Sequence, residues 1–326
     1  MIVLFSNGNC HCNFHKVFMV DQHHRCDYFP KSFRMESMHY DGDIYRPPSE
    51  ARSILLQVTT GCSHNKCRFC GAYKDKTFRI KTDEIILQDL QYAARYFSDN
   101  QRLFLCDGDA LIIGQEKLVW LLHAVKEHLP NVQRVGSYAS TKCIARKTAE
   151  ELVELKSLGL SVIHLGLESG DDVTLEAMNK WGNAEECITA GKKVREAGIN
   201  LFVTVILGLA GPQRSAIHAE KTGEALTRMN PSLVGALSIM PVPGTPLFEK
   251  MNTGNFTLMN PRDILSELRL MLAHTELHPG LFYANHASNY LPLRVRMPHD
   301  KTTALAMIDS ALRGEIPLTP EWLRQL

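Results

Sequence analysis

The sequence predicts an α/β protein built on a parallel sheet. Six short apolar or β-branched runs recur from Ile54 onward, helical stretches separate them, and no long structureless segment breaks the alternation. The strand runs are ILLQVTT (54–60), RLFLCDG (102–108), VQRVGSY (132–138), VIHLGLE (162–168), LFVTVILG (201–208) and LVGALSIM (233–240). Between them lie helical patterns such as TDEIILQDLQYAARYF, QEKLVWLLHAVKEHL, TAEELVELKSLG, NAEECITAGKKVREAG and RSAIHAEKTGEALTRM. Two of these end in Lys-Ser-Leu-Gly and Arg-Glu-Ala-Gly just before a strand, which is a helix stop. Six βα units with right-handed crossovers give a flat doubly wound sheet or a curved barrel, and periodicity does not separate the two. No GxGxxG follows the first strand, so the usual dinucleotide signature is missing.

The ends of the chain differ from this middle. Residues 1–44 hold Cys10, Cys12, Cys26 and several histidines without a period of 2 or 3.6, and they read as a poorly ordered extension ahead of Met35 or Met38. A zinc knuckle on those three cysteines is the alternative. Tyr45–Ser53 carries paired prolines and reads as an extended lead-in. Residues 45–250 then form the barrel-sized unit. Residues 251–326 read as a cap, with a helix starting at Pro261, a polar irregular stretch over 282–301 and a terminal helix.

Composition narrows the class. The 326 residues are 44% hydrophobic and 22% charged, ordinary values for a globular chain able to bury a large core. A formal net charge of +1 argues against nucleic acid or an anionic membrane as partner. No apolar run reaches membrane-spanning length, and the N-terminus lacks an export signal, so a cytoplasmic location is expected. Nine cysteines in such a chain read as metal ligands or buried thiols rather than a disulfide framework.

Three of them crowd the loop after the first strand, in GCSHNKCRFCGAY (61–73), where sheets and barrels both place ligand loops. Cys62, Cys67 and Cys70 suit three corners of a four-iron cluster. No fourth cysteine lies nearby, so such a cluster would keep one iron open. Zinc held by these thiols and His64 is the competing reading, and unligated core cysteines are the plain one. The loop alone leaves all three standing.

The loop and four further stretches resemble the radical S-adenosylmethionine (SAM) superfamily. The matches, in order, are RPPSEARSILLQVTTGCSHNKCRFCGAYK (46–74), FLCDGDAL (104–111), HLGLESGDDVTLEAMNKW (164–181), VTVILGLAG (203–211) and PVPGTPLFEK (241–250). They are most similar to the catalytic domain shared by Elongator subunit 3, the MiaB-type methylthiotransferases and NifB, near the anaerobic coproporphyrinogen oxidase-like branch. One spacing departs from the family: Ser63–Lys66 puts four residues between the first two cysteines, where three are usual.

The resemblance implies a partial (β/α)6 TIM-like barrel with a C-terminal helical and loop cap. It implies a [4Fe-4S] cluster on Cys62, Cys67 and Cys70, SAM on the open iron, and a low-potential donor such as flavodoxin or ferredoxin. It further implies SAM contacts from Phe69, Tyr73, Asp107, Gly108, Asp109, Glu168, Gly208 and Gly211. The implied reaction is hydrogen abstraction from a small or medium-sized molecule, with a coproporphyrinogen oxidase-like tetrapyrrole enzyme as one alternative and a non-catalytic zinc or iron–sulfur scaffold as the other. His164 shares strand parity with Glu168. Asn285, His286, Asn289, Tyr290, Arg294 and Arg296 concentrate polar groups in the cap, and these seven are the candidate substrate or cap contacts.

Overall fold

The structure, a computed structural model, describes residues 37–326. The proposed Cys10, Cys12 and Cys26 grouping lies outside those residues. The main sheet has eight strands in sequential order: β1 (Ile54–Gln57), β2 (Arg102–Cys106), β3 (Arg134–Ala139), β4 (Leu160–Glu168), β5 (Asn200–Leu207), β6 (Leu233–Ser238), β7 (Gly280–Tyr283) and β8 (Arg294–Met297). Neighbours from β1 to β7 are parallel, and β8 returns antiparallel to β7.

That order decides what periodicity left open. A doubly wound sheet reverses its strand order once, whereas here each crossover steps in the same direction. With one handedness, all the crossover helices fall on one face of the sheet. The opposite face curls inward, and the result is the open, partial barrel. Ile54, Leu56, Leu103, Leu105, Val203, Val205, Val234 and Ala236 point outward into one core with the helices. Residues of the other parity line the concave face.

Several of the helices start where the sequence supplies a cap. Thr148 and Asn183 form capping boxes with Glu151 and Glu186, and Asn260 caps the helix Pro261–Ala273. Three short helices, Thr141–Arg146, Asp172–Ala177 and Pro246–Asn252, are additional to the expected set, and Ser140, Asp171 and Thr245 cap them.

Three expectations are corrected. The polar stretch 282–301 holds the end of β7 and all of β8, so the cap extends the sheet itself as well as packing on it. Residues 37–44, expected to be poorly ordered, pack on the domain. His39 bonds Asp89 through its backbone N–H (2.7 Å) and ring Nδ1 (2.8 Å), Tyr40 donates to the Leu55 carbonyl, and Gln57 exchanges bonds with the Asp41 backbone. The lead-in turns into a short 3-10 helix, Pro48–Glu50, that pushes Glu50 fully into the barrel bottom. There Glu50 pairs with Arg134 at 2.5 Å and accepts from Ser53 at 2.6 Å. Burial opposes its charge, but His164, Ser53 and Arg134 hold Glu50 down at about 2. Proline at the first helical position permits the turn.

Candidate active site

The cysteine loop is closed by a short antiparallel pairing of Thr59–Thr60 with Arg79–Ile80. Asp107, just past β2, holds it from below: Oδ2 accepts from Gln57 Nε2 (2.9 Å), the Gly61 N–H (3.1 Å) and Lys76 Nζ (3.0 Å). Asp109 ties the other side, accepting from Ser63 Oγ, Cys143 Sγ and the Ser140 N–H. Between them Gly108 leaves no room for a side chain, since a Cβ there would sit 2.9 Å from the Tyr73 ring and 3.0 Å from Cys62 Cβ. The sequence DGD is therefore a bracket for the loop. Tyr73 is buried against Gly108 and stacks edge-on with Tyr45.

Cys62, Cys67 and Cys70 are free, half-buried thiols. Burial pushes Cys67 up to about 11 and raises Cys70, and the charge of neighbouring thiols adds to both shifts. Among the described residues no three His, Cys, Asp or Glu side chains converge tightly enough for a single metal ion. His64 turns away: its Nε2 lies 2.8 Å from the Asn179 carbonyl oxygen and its ring stacks on Trp181. This corrects the Cys3His zinc reading. Three thiols without a fourth ligand suit a cluster, which spreads its thiolates wider than one ion does.

The end of β4 supplies the polar partner. Glu168 has φ 64°, an uncommon left-handed conformation for a residue with a side chain, and its Oε1 lies 2.9 Å from Lys180 Nζ. A Cβ on Gly166 would come within 2.0 Å of that carboxylate and 3.0 Å of the ammonium, so this glycine makes the cradle. Burial opposes the charge on Lys180, but Glu168 and Cys67 together hold it protonated, above the usual lysine range. Lys180 was missed in the sequence, although it lies inside the matching stretch 164–181. Nothing local in the sequence marked it: its place comes from the 2.9 Å contact to Glu168 and its charge near Cys67.

Gly208 and Gly211 follow β5 with φ 78° and 68°. The Gly208 N–H donates to Glu267 Oε1 at 2.6 Å, so a buried carboxylate of the cap helix sets this turn. Sequence reading missed Glu267 too, because nothing local distinguishes it from other helix carboxylates. Phe69 packs with Met178, Leu209, Ile239 and Leu247 on the same side of the loop. Gly211 borders an adjoining cavity of about 330 Å³ that also reaches Arg68, Arg214 and Phe256.

The remaining candidates divide. His164 is buried in a floor of Phe104, Tyr138 and Phe202, with Nε2 3.4 Å from Glu50 Oε1, and burial lowers its pKa. This corrects its reading as a substrate contact. Asn289 stitches the end of β6 through Ser238 Oγ and the Ala236 carbonyl. Tyr290 donates to Glu321 and lies under Arg324, holding the C-terminal turn. Arg296 pairs with Leu281, level with the first residue of β6 and far from the cysteine loop, and it bonds Asp300. These three are structural as well. Asp109 has both oxygens committed within the protein, which corrects its reading as a SAM contact, whereas Asp107 keeps one buried oxygen, Oδ1, without a partner. His286 keeps its Nε2 unpartnered, and Arg294 with Asn285 stays on the concave face.

The chain belongs to the Radical SAM superfamily, whose profile matches residues 56–219, half of the sequence. Membership makes it, by class, an enzyme of radical S-adenosylmethionine chemistry. An uncharacterized protein of Methanocaldococcus jannaschii is 23% identical over 258 residues, covering 75% of this chain and 77% of that one. Coproporphyrinogen III oxidase of Escherichia coli shares the fold with TM-score 0.50 and 15% identity, over 68% of this chain and 52% of that chain. A radical SAM methyltransferase of Kitasatospora setae, solved with cobalamin and a [4Fe-4S] cluster bound, matches with TM-score 0.50 and 16% identity, over 70% of this chain and 39% of that one. The chain thus spans about half or less of those two solved proteins. No helix among the described residues is long and apolar enough to cross a membrane.

Proposed function

We propose that the protein binds a [4Fe-4S] cluster through Cys62, Cys67 and Cys70 and cleaves SAM reductively to take a hydrogen atom from a small or medium-sized substrate. The observation that carries this reading is three free thiols on one loop, Cys62 against the Gly108 turn and Cys67 near Lys180, which pairs with Glu168 at 2.9 Å. The donors fit the group: thiolates suit iron, and the paired charges suit the amino-acid end of SAM. When bound, the cluster and SAM together supply a 5′-deoxyadenosyl radical.

The chain's own residues do the rest. Lys180 offers an ammonium to a carboxylate, and Glu168 with Asp107 Oδ1 offers acceptors to an amine. Gly108 lets the β2 turn approach Cys62 closely. Phe69 and the turn after Gly208 form an apolar and backbone surface for a flat base. The Glu50 plug and the aromatic floor close the barrel bottom to water.

Within the superfamily, the order of the matching stretches favours the coproporphyrinogen oxidase-like branch. In the same reading residues 45–250 are the catalytic unit and 251–326 the cap, and a flavodoxin or ferredoxin supplies the electron. Anaerobic reconstitution tests the assignment. Binding of about four iron and four sulfide per chain, with dithionite-dependent formation of 5′-deoxyadenosine, supports it. Tight zinc binding without SAM cleavage rejects it in favour of a scaffold.

A further inference from the structure

We propose that the concave face takes a substrate with an apolar body and a carboxylate, and that Arg294 binds the carboxylate. One register row crosses that face without a break: Gly166 pairs with Thr204, Thr204 with Gly235, Gly235 with Tyr283, and Tyr283 with Arg294. The Glu168–Lys180 pair stands over Gly166 at one end, as the cradle contacts show. Arg294 stands at the other. Val295 and Met297 point into the helix-side core, so Arg294 points to the concave side.

The middle of the row is cleared. Gly166 and Gly235 carry no side chain, and a Cβ built on Gly235 meets nothing within 4 Å. Phe202, Ile206, Leu237, Leu281 and Tyr283 around it are only half-buried, an apolar surface in need of cover. Four strand spacings separate Gly166 from Arg294, about 19 Å along the sheet, and curvature shortens the chord. That span leaves room for a medium-sized molecule between the two charged ends.

Arg294 is prepared for an anion. Its guanidinium lies over the Tyr283 ring at 5.9 Å. The Asn285 amide, oriented by its hydrogen bonds, accepts from Nε at 3.0 Å and Nη2 at 3.2 Å. No carboxylate pairs with it among the described residues, whereas Arg296 on the same strand bonds Asp300. A planar fork held from one side by neutral groups presents its free donors to a carboxylate.

The inference rests on the radical SAM reading of the site, so its test avoids catalysis. Calorimetry on the reconstituted full-length protein, without SAM or reductant, would compare 4-phenylbutyrate with 4-phenylbutyramide, which differ in charge and share an apolar body. The carboxylate is expected to bind about tenfold more tightly, the difference a charge-assisted bond supplies. Arg294→Gln should bring the two within about twofold, and Arg294→Lys should restore part of the preference. Arg296→Gln, two residues along the same strand and already paired with Asp300, should leave it unchanged. A wild-type affinity for the carboxylate no tighter than for the amide, immeasurable binding of both included, overturns the inference. So does a preference that survives in Arg294→Gln. Failure of 5′-deoxyadenosine formation would strike the radical reading separately.

Discussion

Lys180 Nζ lies 2.9 Å from Glu168 Oε1, directly over a glycine whose missing side chain makes the space. The two residues are twelve apart in sequence and meet because the short helix Asp172–Ala177 folds the chain back over the end of β4. Lys180→Ala should weaken SAM binding by more than about tenfold, since it removes a charge-assisted donor and leaves the buried Glu168 without its partner. Lys180→Arg should recover part of the loss. Equilibrium binding of SAM to the reconstituted protein gives the answer, and an unchanged affinity in Lys180→Ala would remove this pair from the site.

Gly166→Ala tests the same cradle by volume. The added methyl would stand 2.0 Å from Glu168 Oε1, so the carboxylate must swing away. SAM cleavage is expected to fall at least about tenfold while iron content holds, because the thiols lie on another loop. A variant with wild-type cleavage rates would show that Glu168 acts elsewhere.

His64→Ala separates a cluster from a zinc site. With its ring on Trp181 and its Nε2 at the Asn179 carbonyl, His64 should be dispensable for metal binding. Its replacement should leave iron and sulfide content at the wild-type level, and Cys67→Ala should lose most of both. Loss of metal in both variants by elemental analysis would restore the Cys3His reading.

The six parallel strands were legible because each is a run of apolar residues buried on both faces or on one. β7 and β8 were not. Each has only four residues, and β8 alternates exposed arginines with buried Val295 and Met297 inside a polar stretch. The three cysteines were legible from spacing alone. Lys180 and Glu267 were not: Lys180 meets Glu168 only because the chain folds back between them, and Glu267 meets Gly208 from 59 residues away. The Asp109 correction has the same origin: two acidic residues flanking Gly108 look equivalent in sequence, and only the packing shows that Asp109 is spent on Ser63, Ser140 and Cys143.

The barrel bottom predicts a stability effect. Arg134→Ala would strand Glu50, which is fully buried and otherwise held by Ser53 and a long contact to His164. Breaking such a pair costs about 3–5 kcal/mol. Arg134→Ala combined with Glu50→Gln should recover much of that loss, since the stranded charge is gone. Denaturant unfolding of the three variants measures it. A loss below about 1 kcal/mol in the single variant would mean that Glu50 draws its support from elsewhere.

The last prediction concerns two buried groups whose pH effects oppose each other. Glu267 accepts from Gly208 and, at 2.5 Å, from Ser215 Oγ, while His218 Nε2 lies 3.5 Å from Glu267 Oε1 and His218 Nδ1 lies 2.7 Å from Ser169 Oγ. Burial lifts Glu267 from 4.5 to about 7, and burial drops His218 from 6.5 to about 4. Between pH 4.5 and 7 the folded Glu267 holds a proton that the unfolded chain has released, so its contribution falls as pH rises. Between pH 4 and 6.5 the unfolded His218 holds a proton that the folded protein lacks, so its contribution rises with pH. Each slope is at most about 1.4 kcal/mol per pH unit, and in the shared window they cancel. Glu267→Gln keeps the acceptor for Gly208 and removes only one slope. Relative to wild type, its stability should therefore climb with pH from about 4.5 to 7 and level off above. His218→Gln should show the reverse trend, falling relative to wild type from about pH 4 to 6.5. Denaturant midpoints at half-unit pH steps give both differences, and parallel profiles for all three proteins would show that neither group titrates across this range.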